Sequence, residues 1–342
     1  MHSHPSTASQ HSLIVVAHYS QLEQILAQEM VQLNDHMKLS ASLQLIGRCI
    51  VSFIFVVLTQ FAISLVPCFF SGSPFFIQLT LSALVLLVVV GVGGWSRRIL
   101  RVYASAPAFV FLNILFIWGS YVAVIRRAVS NLMDALFNGQ IAVIVIGLCR
   151  ILSSDPGRVT HESLCSDRLV ESSGFGVEPG NKNSPSLRRV RYCKSCKAHI
   201  KGFDHHCPAF GNCIGQNNYV LFIALLLGFL TAEASYLVCS VQFVRKSQKF
   251  DRNWLEINLV GNLAISTMLF SVLQILWQGV FLTWHLYCVC FNIKTDEWIN
   301  WKKYPEFQLV QSEPGESFTR VEFRNPYDKG VLQNVKELLA LR

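Results

Sequence analysis

The chain has few charged residues for its length. Of its 342 residues, 15% are charged and 52% are hydrophobic, whereas a soluble globular domain carries roughly 25% charged residues. This scarcity excludes a disordered chain and an ordinary soluble enzyme. The apolar residues also form long runs, and a helix of about 20 apolar residues is what crosses a hydrocarbon core. The composition therefore indicates an integral membrane protein.

Acidic residues are scarcer than basic ones, with 21 Asp and Glu against 29 Lys and Arg. The excess does not predict nucleic-acid binding, because no RNA- or DNA-binding motif accompanies it. Most basic residues lie beside apolar runs, where they orient spans and meet anionic lipid headgroups. Residues 1–40 lack the short apolar core of a cleavable signal peptide, so none is expected. A weakly amphipathic helix is expected near residues 22–33, either on the membrane surface or packed on the body of the protein.

A disulfide framework is not expected, although the chain has eleven cysteines. Five of them lie in or beside apolar segments, where cysteine behaves as a small hydrophobic residue: Cys49, Cys68, Cys149, Cys239 and Cys290. Four others are concentrated between Cys193 and Cys213, beside several histidines. In a reducing compartment such a cluster indicates a metal site or catalysis.

Apolar and polar stretches alternate in a way that predicts an all-α polytopic membrane protein. The bundle of transmembrane helices carries a small cytoplasmic cysteine-rich domain. Whether the segment around 132–152 crosses the membrane is left open, because Asp134, Asn138 and Gly139 weaken it. The predicted parts are an N-terminal cytoplasmic segment (1–42), three or four transmembrane helices (43–152), a polar linker (153–187), the cysteine-rich domain (188–219), two transmembrane helices (220–291) and a cytoplasmic tail (292–342).

The cysteine-rich domain contains the pattern expected of a zinc site. Cys193 and Cys196 form a C-x-x-C knuckle, which supplies two thiolates on one turn and suits tetrahedral Zn²⁺. Two further ligands must come from downstream residues. The spacing alone leaves five candidates: His199, His205, His206, Cys207 and Cys213.

The run Asp204-His205-His206-Cys207 resembles the signature of the DHHC family of protein S-acyltransferases (palmitoyltransferases). Further resemblances follow along the chain, at about residues 190–335. They are the run 213–222 leading into a span, His285 near the end of the last span, a TTxE-like element at 294–297 and an NPYD motif at 325–328 with Asn334 after it. The amino-acid sequence of residues 207–213 is most similar to that of a plant branch of the family.

The resemblance implies a role for each matching residue. Cys207 is the nucleophile that accepts the acyl group, His205 is its general base and Asp204 orients His205. Cys193, Cys196, His206 and Cys213 bind one zinc ion. Thr295 hydrogen-bonds Asp204, and Glu297 and Asn334 support the site.

Several positions depart from the family's pattern. Tyr192 stands where the family has a histidine of a second zinc site, and His199 stands where it has a cysteine. Lys294 replaces the first threonine of the TTxE element. One zinc ion is therefore expected rather than two, with His199 as a possible extra ligand. His161 and Cys165 are the alternative source of ligands for a second site.

The implied function is transfer of a long-chain acyl group, palmitoyl, from acyl-CoA to cysteine thiols of membrane-associated proteins. The active site would face the cytosol in the endoplasmic reticulum, the Golgi or the plasma membrane. Basic residues at the domain's start are expected to meet CoA phosphates: Arg188, Arg189 and Arg191. The acyl chain is expected to lie among the last spans, and the candidate lining is Phe222, Leu226, Phe229, Tyr236, Phe270, Leu273, Trp277 and Phe281.

A second function class is a non-catalytic zinc-containing membrane scaffold or ion-handling protein. Its supporting feature is Glu233, an acidic residue inside a predicted span, where such residues are usually functional. No acidic partner for Glu233 is visible in the sequence. A thioester on Cys207 separates the two classes, because a scaffold need not carry one.

Overall fold

The computed structural model describes residues 39–159, 189–250, 259–311 and 320–340. Within them, six helices are long and apolar enough to cross a membrane. This confirms the predicted all-α polytopic class. The helices are α1 (Leu39–Phe69), α2 (Phe75–Leu100), α3 (Ala106–Ser120), α4 (Asn131–Ser153), α5 (Tyr219–Phe250) and α6 (Leu259–Cys290). The amphipathic helix expected near 22–33 lies outside the described residues.

The segment whose crossing was left open forms α4, a helix long enough to span. Ser130 caps its start, because the Ser130 hydroxyl accepts a hydrogen bond from the Met133 amide at 3.4 Å. Two of its polar residues, Asp134 and Asn138, form hydrogen bonds with neighbours. Asp134 accepts from the Tyr121 hydroxyl at 3.0 Å and pairs with Arg126 at 3.1 Å. Asn138 donates to the Asp134 carboxylate at 2.9 Å. Mutual pairing removes the penalty that made this segment look unsuited to a membrane.

Helices α3 to α6 share an apolar core. α3 continues through a π-helical turn, Tyr121–Ile125, and a short 3₁₀ turn, Arg126–Ala128. Tyr121, Phe137 and Tyr236 are fully buried and pack ring against ring. The Tyr236 hydroxyl lies 2.6 Å from the Thr267 hydroxyl, which fastens α5 to α6. The last two helices therefore run side by side and return the chain to the end where α5 began.

Small sheets and short helices lie at that end of the bundle. The strands β1 (Arg158–Val159), β2 (Val190–Cys193) and β3 (Ala198–Lys201) form an antiparallel sheet in the order β1-β3-β2. The strands β4 (His205–Cys207) and β5 (Asn212–Ile214) form a hairpin. The tail contributes α7 (Thr295–Asn300), the paired strands β6 (Gln308–Gln311) and β7 (Arg320–Phe323), and α8 (Val331–Ala340).

Two asparagines attach the hairpin to the end of α4. The Asn212 side-chain amide donates to the carbonyl oxygens of Ile151 and Ser154, at 3.0 and 2.8 Å. Asn218 donates to the Ser154 hydroxyl at 3.1 Å and to the Cys213 carbonyl at 2.9 Å. These bonds satisfy carbonyl groups that the helix end leaves free. The hairpin is therefore held directly above the membrane-spanning helices.

Candidate active site and metal centre

The β4–β5 hairpin sorts its side chains between two faces. Successive residues of a strand point to opposite faces, so His205 and Cys207 share one face and His206 has the other. The register places His206 directly opposite Cys213. Gly211 closes the turn with φ of +58°, a conformation that favours glycine. The strand geometry thus separates two neighbouring histidines that the sequence pattern left equivalent.

The face that carries His206 gathers four candidate metal ligands. One ligand atom from each of Cys193, Cys196, His206 and Cys213 lies within 4.8 Å of the other three. His206 Nδ1 lies 3.4 Å from Cys196 Sγ and 3.6 Å from Cys213 Sγ, and the two sulfurs are 3.3 Å apart. The structure therefore brings together the four residues predicted as one ligand set.

This donor set fits a zinc ion. Tetrahedral Zn²⁺ with Zn–S of about 2.3 Å and Zn–N of about 2.0 Å would hold neighbouring ligand atoms roughly 3.5–3.8 Å apart. The observed separations of 3.3 to 3.6 Å lie close to those values. The Cys196 amide also points to Cys193 Sγ at 3.4 Å, as it does in a knuckle. The cluster can hold a metal ion.

The other face carries a carboxylate, an imidazole and a thiol in series. His205 Nδ1 lies 2.7 Å from Asp204 Oδ2, which leaves Nε2 as the ring nitrogen open to other partners. Cys207 lies two residues further along β4, on the same face as His205. Asp204 and Cys207 are buried, with exposed fractions of 0% and 6%. A buried thiol beside an oriented imidazole is an arrangement for nucleophilic chemistry.

Charge on this face is fixed by hydrogen bonds. Burial alone would raise the pKa of Asp204, but the hydrogen bond from His205, the charge of Lys294 and the Thr295 amide hold it below its usual value. Burial alone would lower the pKa of His205, but the hydrogen bond to Asp204 and the nearby Cys207 side chain raise it to about 9. Asp204 is therefore a carboxylate at neutral pH, and His205 holds a proton beside the thiol.

Thr295 contacts Asp204 through its backbone. The Thr295 amide donates to Asp204 Oδ1 at 3.0 Å, and the Asp296 amide donates to the Asp204 carbonyl at 3.0 Å. The Thr295 hydroxyl instead accepts from the indole of Trp284 at 3.2 Å. The predicted contact exists, but the main chain makes it, so the carboxylate takes its donor from the first turn of α7.

Glu297 and Asn334 hold the tail against the bundle. Glu297 is buried and accepts two hydrogen bonds from Arg189, at 2.9 and 2.8 Å, and one from the Lys294 amide at 2.9 Å. The Asn334 amide donates to the Cys290 carbonyl at 2.8 Å, at the end of α6. Both residues therefore fix α7 and α8 next to the site without touching Cys207.

The three arginines expected to meet CoA phosphates are placed differently. Arg189 is engaged by Glu297 and Asn292 and lies over the Tyr327 ring at 3.8 Å. Arg191 pairs with Glu306 at 2.5 Å. Arg188 lies outside the described residues. Because the guanidinium groups of Arg189 and Arg191 are committed inside the protein, their geometry favours a structural role over the predicted phosphate contact.

His199 lies apart from the four-residue cluster. It is exposed on β3, and its ring packs on that of Tyr192 at 5.1 Å, across the β2–β3 ladder. His161 and Cys165, the other candidates for a second metal site, lie outside the described residues. His199 therefore has a neighbour that explains its position without a metal.

A cavity of about 220 Å³ opens beside Cys207, between α3, α5 and α6. Six of the eight residues predicted to line an acyl site are in its wall: Phe222, Leu226, Phe229, Phe270, Trp277 and Phe281. Tyr236 and Leu273 are not, and Tyr236 is used to join α5 to α6. The wall also includes five residues of α3, which the sequence did not predict: Phe109, Val110, Asn113, Ile114 and Ile117.

His285 belongs to the site more closely than its sequence position indicates. Its Nδ1 lies 3.9 Å from Asp204 Oδ2 and 3.4 Å from the Tyr219 hydroxyl. Its ring centroid is 5.7 Å from that of His205 and 4.8 Å from that of Phe222. A histidine near the end of an apolar run was the available signal. It packs behind the Asp204–His205 pair and limits where the imidazole can turn.

Comparison with known proteins connects this site to a described family. The DHHC palmitoyltransferase family matches residues 181–302. The chain is 28% identical over 167 residues to palmitoyltransferase ZDHHC17 of Mus musculus, covering 45% of this chain and 24% of that protein. It is 24% identical over 248 residues to probable protein S-acyltransferase 15 of Arabidopsis thaliana, covering 68% and 89%.

A further relative is palmitoyltransferase ZDHHC12 of Homo sapiens, 26% identical over 192 residues that cover 53% of this chain and 64% of that protein. The chain thus spans about a quarter of the length of ZDHHC17 and less than two thirds of the length of ZDHHC12. The matched family region includes both the metal cluster and the Asp204–Cys207 run.

Proposed function

We propose that the chain is a DHHC-type protein S-acyltransferase and that it transfers a long-chain acyl group from acyl-CoA to protein cysteines through a thioester on Cys207. The observation that supports this most is one of position. Cys207 lines an apolar cavity on one side and shares a strand face with the Asp204-oriented His205 on the other. The same sulfur can therefore meet a lipid chain and a proton carrier.

The first half-reaction uses the thiol and the imidazole together. The His205 ring, whose pKa is raised to about 9, can hold the proton that the Cys207 thiol gives up when it becomes the nucleophile. The thiolate sulfur attacks the carbonyl carbon of acyl-CoA, and the carbon–sulfur bond to CoA breaks. The departing CoA thiolate takes the proton from His205. The acyl group is then held as a thioester on Cys207.

The second half-reaction reverses these roles. A substrate cysteine gives its proton to His205, and its sulfur attacks the thioester carbonyl. The bond to Cys207 breaks, and the Cys207 thiolate returns. Asp204 keeps the ring orientation through both halves, because its carboxylate is held by His205 and by the Thr295 amide.

The four-residue cluster would hold zinc in a structural role. Cys193, Cys196, His206 and Cys213 occupy all four positions of a tetrahedral site, which leaves none for a substrate. A metal there would supply cross-linking of the β2–β3 and β4–β5 hairpins rather than acid catalysis. This chain's own strands then hold Cys207 at the mouth of the cavity.

A membrane setting suits this chemistry. Moving a sixteen-carbon chain into water costs roughly 0.8 kcal/mol per CH₂, on the order of 11 kcal/mol in all. A cavity between α3, α5 and α6 keeps the chain away from water while CoA stays outside. We place this end of the bundle in the cytosol, where acyl-CoA and reduced thiols occur, and the partners are membrane-associated proteins with cytosolic cysteines.

The orientation can be tested separately from the chemistry. Asp204 and Thr295 are hydrogen-bonded, so the metal cluster and the tail lie on one side, and α5 and α6 connect them. A glycosylation acceptor inserted at 251–256, with a linker long enough for the transferase, should be modified. One inserted at 312–318 should not. Modification at 312–318 would contradict a cytosolic site.

The function is tested by labelling the purified protein with palmitoyl-CoA. The wild-type chain should gain one palmitoyl group that hydroxylamine removes, and Cys207→Ser should gain none. Equal labelling of the variant would reject Cys207 as the acceptor. A scaffold or ion-handling protein predicts no labelling of either form.

A further inference from the structure

The apolar cavity beside Cys207 has polar side chains in its deeper wall. Glu233 on α5 and Gln274 and Gln278 on α6 are among its lining residues. Glu233 Oε2 and Gln278 Oε1 are buried and have no hydrogen-bond partner among the residues that the structure describes. The Ser271 hydroxyl on α6 is also buried and makes no hydrogen bond within the described part of the chain. Acceptors of this kind favour an occupant that can donate to them.

These residues face the cavity because of their helical spacing. On α5 the lining positions are 222, 226, 229 and 233, and on α6 they include 270, 274, 278 and 281. Positions three and four apart lie on one face of a helix. Glu233 is therefore on the same stripe as Phe222, whose ring is 5.4 Å from that of His205.

The depth of the acceptors follows from the helix rise of about 1.5 Å per residue. Gln278 lies seven residues from His285, about 10 Å below the reaction centre, and Glu233 lies eleven residues from Phe222, about 16 Å below it. An extended acyl chain advances about 1.25 Å per carbon, given carbon–carbon bonds of about 1.5 Å. Gln278 is then level with about the ninth carbon and Glu233 with about the fourteenth.

We infer that the cavity accepts an acyl chain bearing a hydroxyl group in its distal half, with Glu233 and Gln278 as the acceptors. The inference deepens the proposed acyltransferase function and rests on it. A saturated chain would cover both oxygens with methylene groups and leave them without a donor. A distal hydroxyl group donates a hydrogen bond to one of them and satisfies that acceptor. The cavity thus selects its acyl chain by hydrogen bonding as well as by apolar contact.

Cation handling, the other use for an acid inside a span, is not favoured by the surroundings. Among the described residues, the groups that could hold a metal ion are the cluster around Cys213 and the set Asp204, His205 and His285. Neither includes Glu233. The neighbours of its carboxyl group in the wall are neutral, so a neutral donor suits the position better than a cation.

The test is a competition among acyl-CoA thioesters for Cys207 of the full-length protein in detergent or nanodiscs. Palmitoyl-CoA, 16-hydroxypalmitoyl-CoA and 2-hydroxypalmitoyl-CoA are supplied together, and the acyl-enzymes are quantified by mass spectrometry. The 16-hydroxy chain should be preferred over the other two by roughly tenfold, the effect of one satisfied buried acceptor. The 2-hydroxy chain has the same atoms but places its hydroxyl beside Cys207, so it controls for polarity alone.

Variants of the wall locate the preference. Glu233→Leu combined with Gln278→Leu should bring the ratio of 16-hydroxypalmitoyl to palmitoyl labelling to one or below. Glu233→Gln keeps an acceptor and the shape, so it should retain the preference even if the leucine form does not fold. Equal use of the two chains by the wild type, or a ratio unchanged in a folded leucine form, would overturn the inference. Failure of every acyl-CoA to label Cys207 would instead reject the proposed function.

Discussion

His205 and His206 are adjacent in the sequence but face opposite surroundings. The His206 face of the β4–β5 hairpin contains thiols close enough for one metal ion, while the His205 face contains a carboxylate, a thiol and the end of an apolar cavity. Both faces depend on the same short strands. In the proposed mechanism, the alternation of side chains along a strand separates a structural role for His206 from a chemical role for His205. We expect substitutions on the two faces to differ in what they remove.

Substitutions on the His206 face of the hairpin, here called the metal face, should have the largest effect on folding and activity. Cys193→Ala removes one of four ligands, and binding of a structural zinc ion contributes about 10–16 kcal/mol to folding in zinc-finger peptides. We expect loss of the metal, loss of protease resistance in residues 189–218 and loss of acyl transfer. Metal analysis, limited proteolysis and labelling measure these separately. Full metal content in the variant would contradict the ligand assignment.

The zinc content of the wild-type protein tests the same comparison between the two faces of the hairpin. We expect one zinc ion per chain, held by Cys193, Cys196, His206 and Cys213. Metal analysis with a His199→Ala variant as the matched control checks this, and the variant should keep the full content. Two ions per chain, falling to one in that variant, would show that His199 completes a second site.

Substitutions on the His205 face, here called the reaction face, should remove acyl transfer without changing the fold. Cys207→Ser should abolish acyl-enzyme formation, while zinc content and thermal stability stay at the wild-type level. A serine hydroxyl preserves the volume but is far less nucleophilic than the thiolate at neutral pH. Loss of zinc from this variant would show that Cys207 belongs to the metal face.

His205→Ala should reduce the rate of acyl transfer by roughly 10²–10⁴-fold, the usual contribution of a general base. Zinc content should not change. His206→Ala, its matched neighbour, should release zinc. If the two substitutions have equal effects on zinc, the strand register does not separate the histidines as the structure places them.

Removal of the Thr295 hydroxyl should have the smallest effect on stability and on the rate of acyl transfer. Thr295→Val keeps the backbone amide that donates to Asp204 and removes only the hydroxyl that accepts from Trp284. We expect a loss of stability near 1 kcal/mol, measured by thermal or chemical unfolding, and a change in rate below about fivefold. A loss as large as that of His205→Ala would mean that the side chain, not the main chain, serves Asp204.

Much of the bundle could be predicted from the sequence, because hydropathy over 20 residues reports directly on a membrane span. The exception was α4, whose Asp134 looks unfavourable in isolation. Its partners Tyr121 and Arg126 lie in the π-helical and 3₁₀ turns that continue α3, and their contact exists only in the folded chain. The six helices are otherwise close to the apolar runs read from the sequence.

The site was predictable in part. The resemblance named the residues that the structure brings together around Asp204 and around His206, but spacing alone left five ligand candidates open. The structure separates them by strand register, which cannot be predicted from the residue types alone. The pairing of Arg189 with Glu297 spans 108 positions and could not be read locally. It explains why an arginine expected to contact CoA is committed elsewhere.

The hydrogen bond from the Thr295 amide to Asp204 has a consequence for biosynthesis. The two residues are 91 positions apart in the chain. At 5–20 residues per second, a ribosome adds Thr295 about 5–20 s after Asp204. Until then the carboxylate lacks one of its donors, and α6, which forms one wall of the cavity, has not been completed. A nascent chain held in the translocation machinery therefore cannot carry a finished reaction centre.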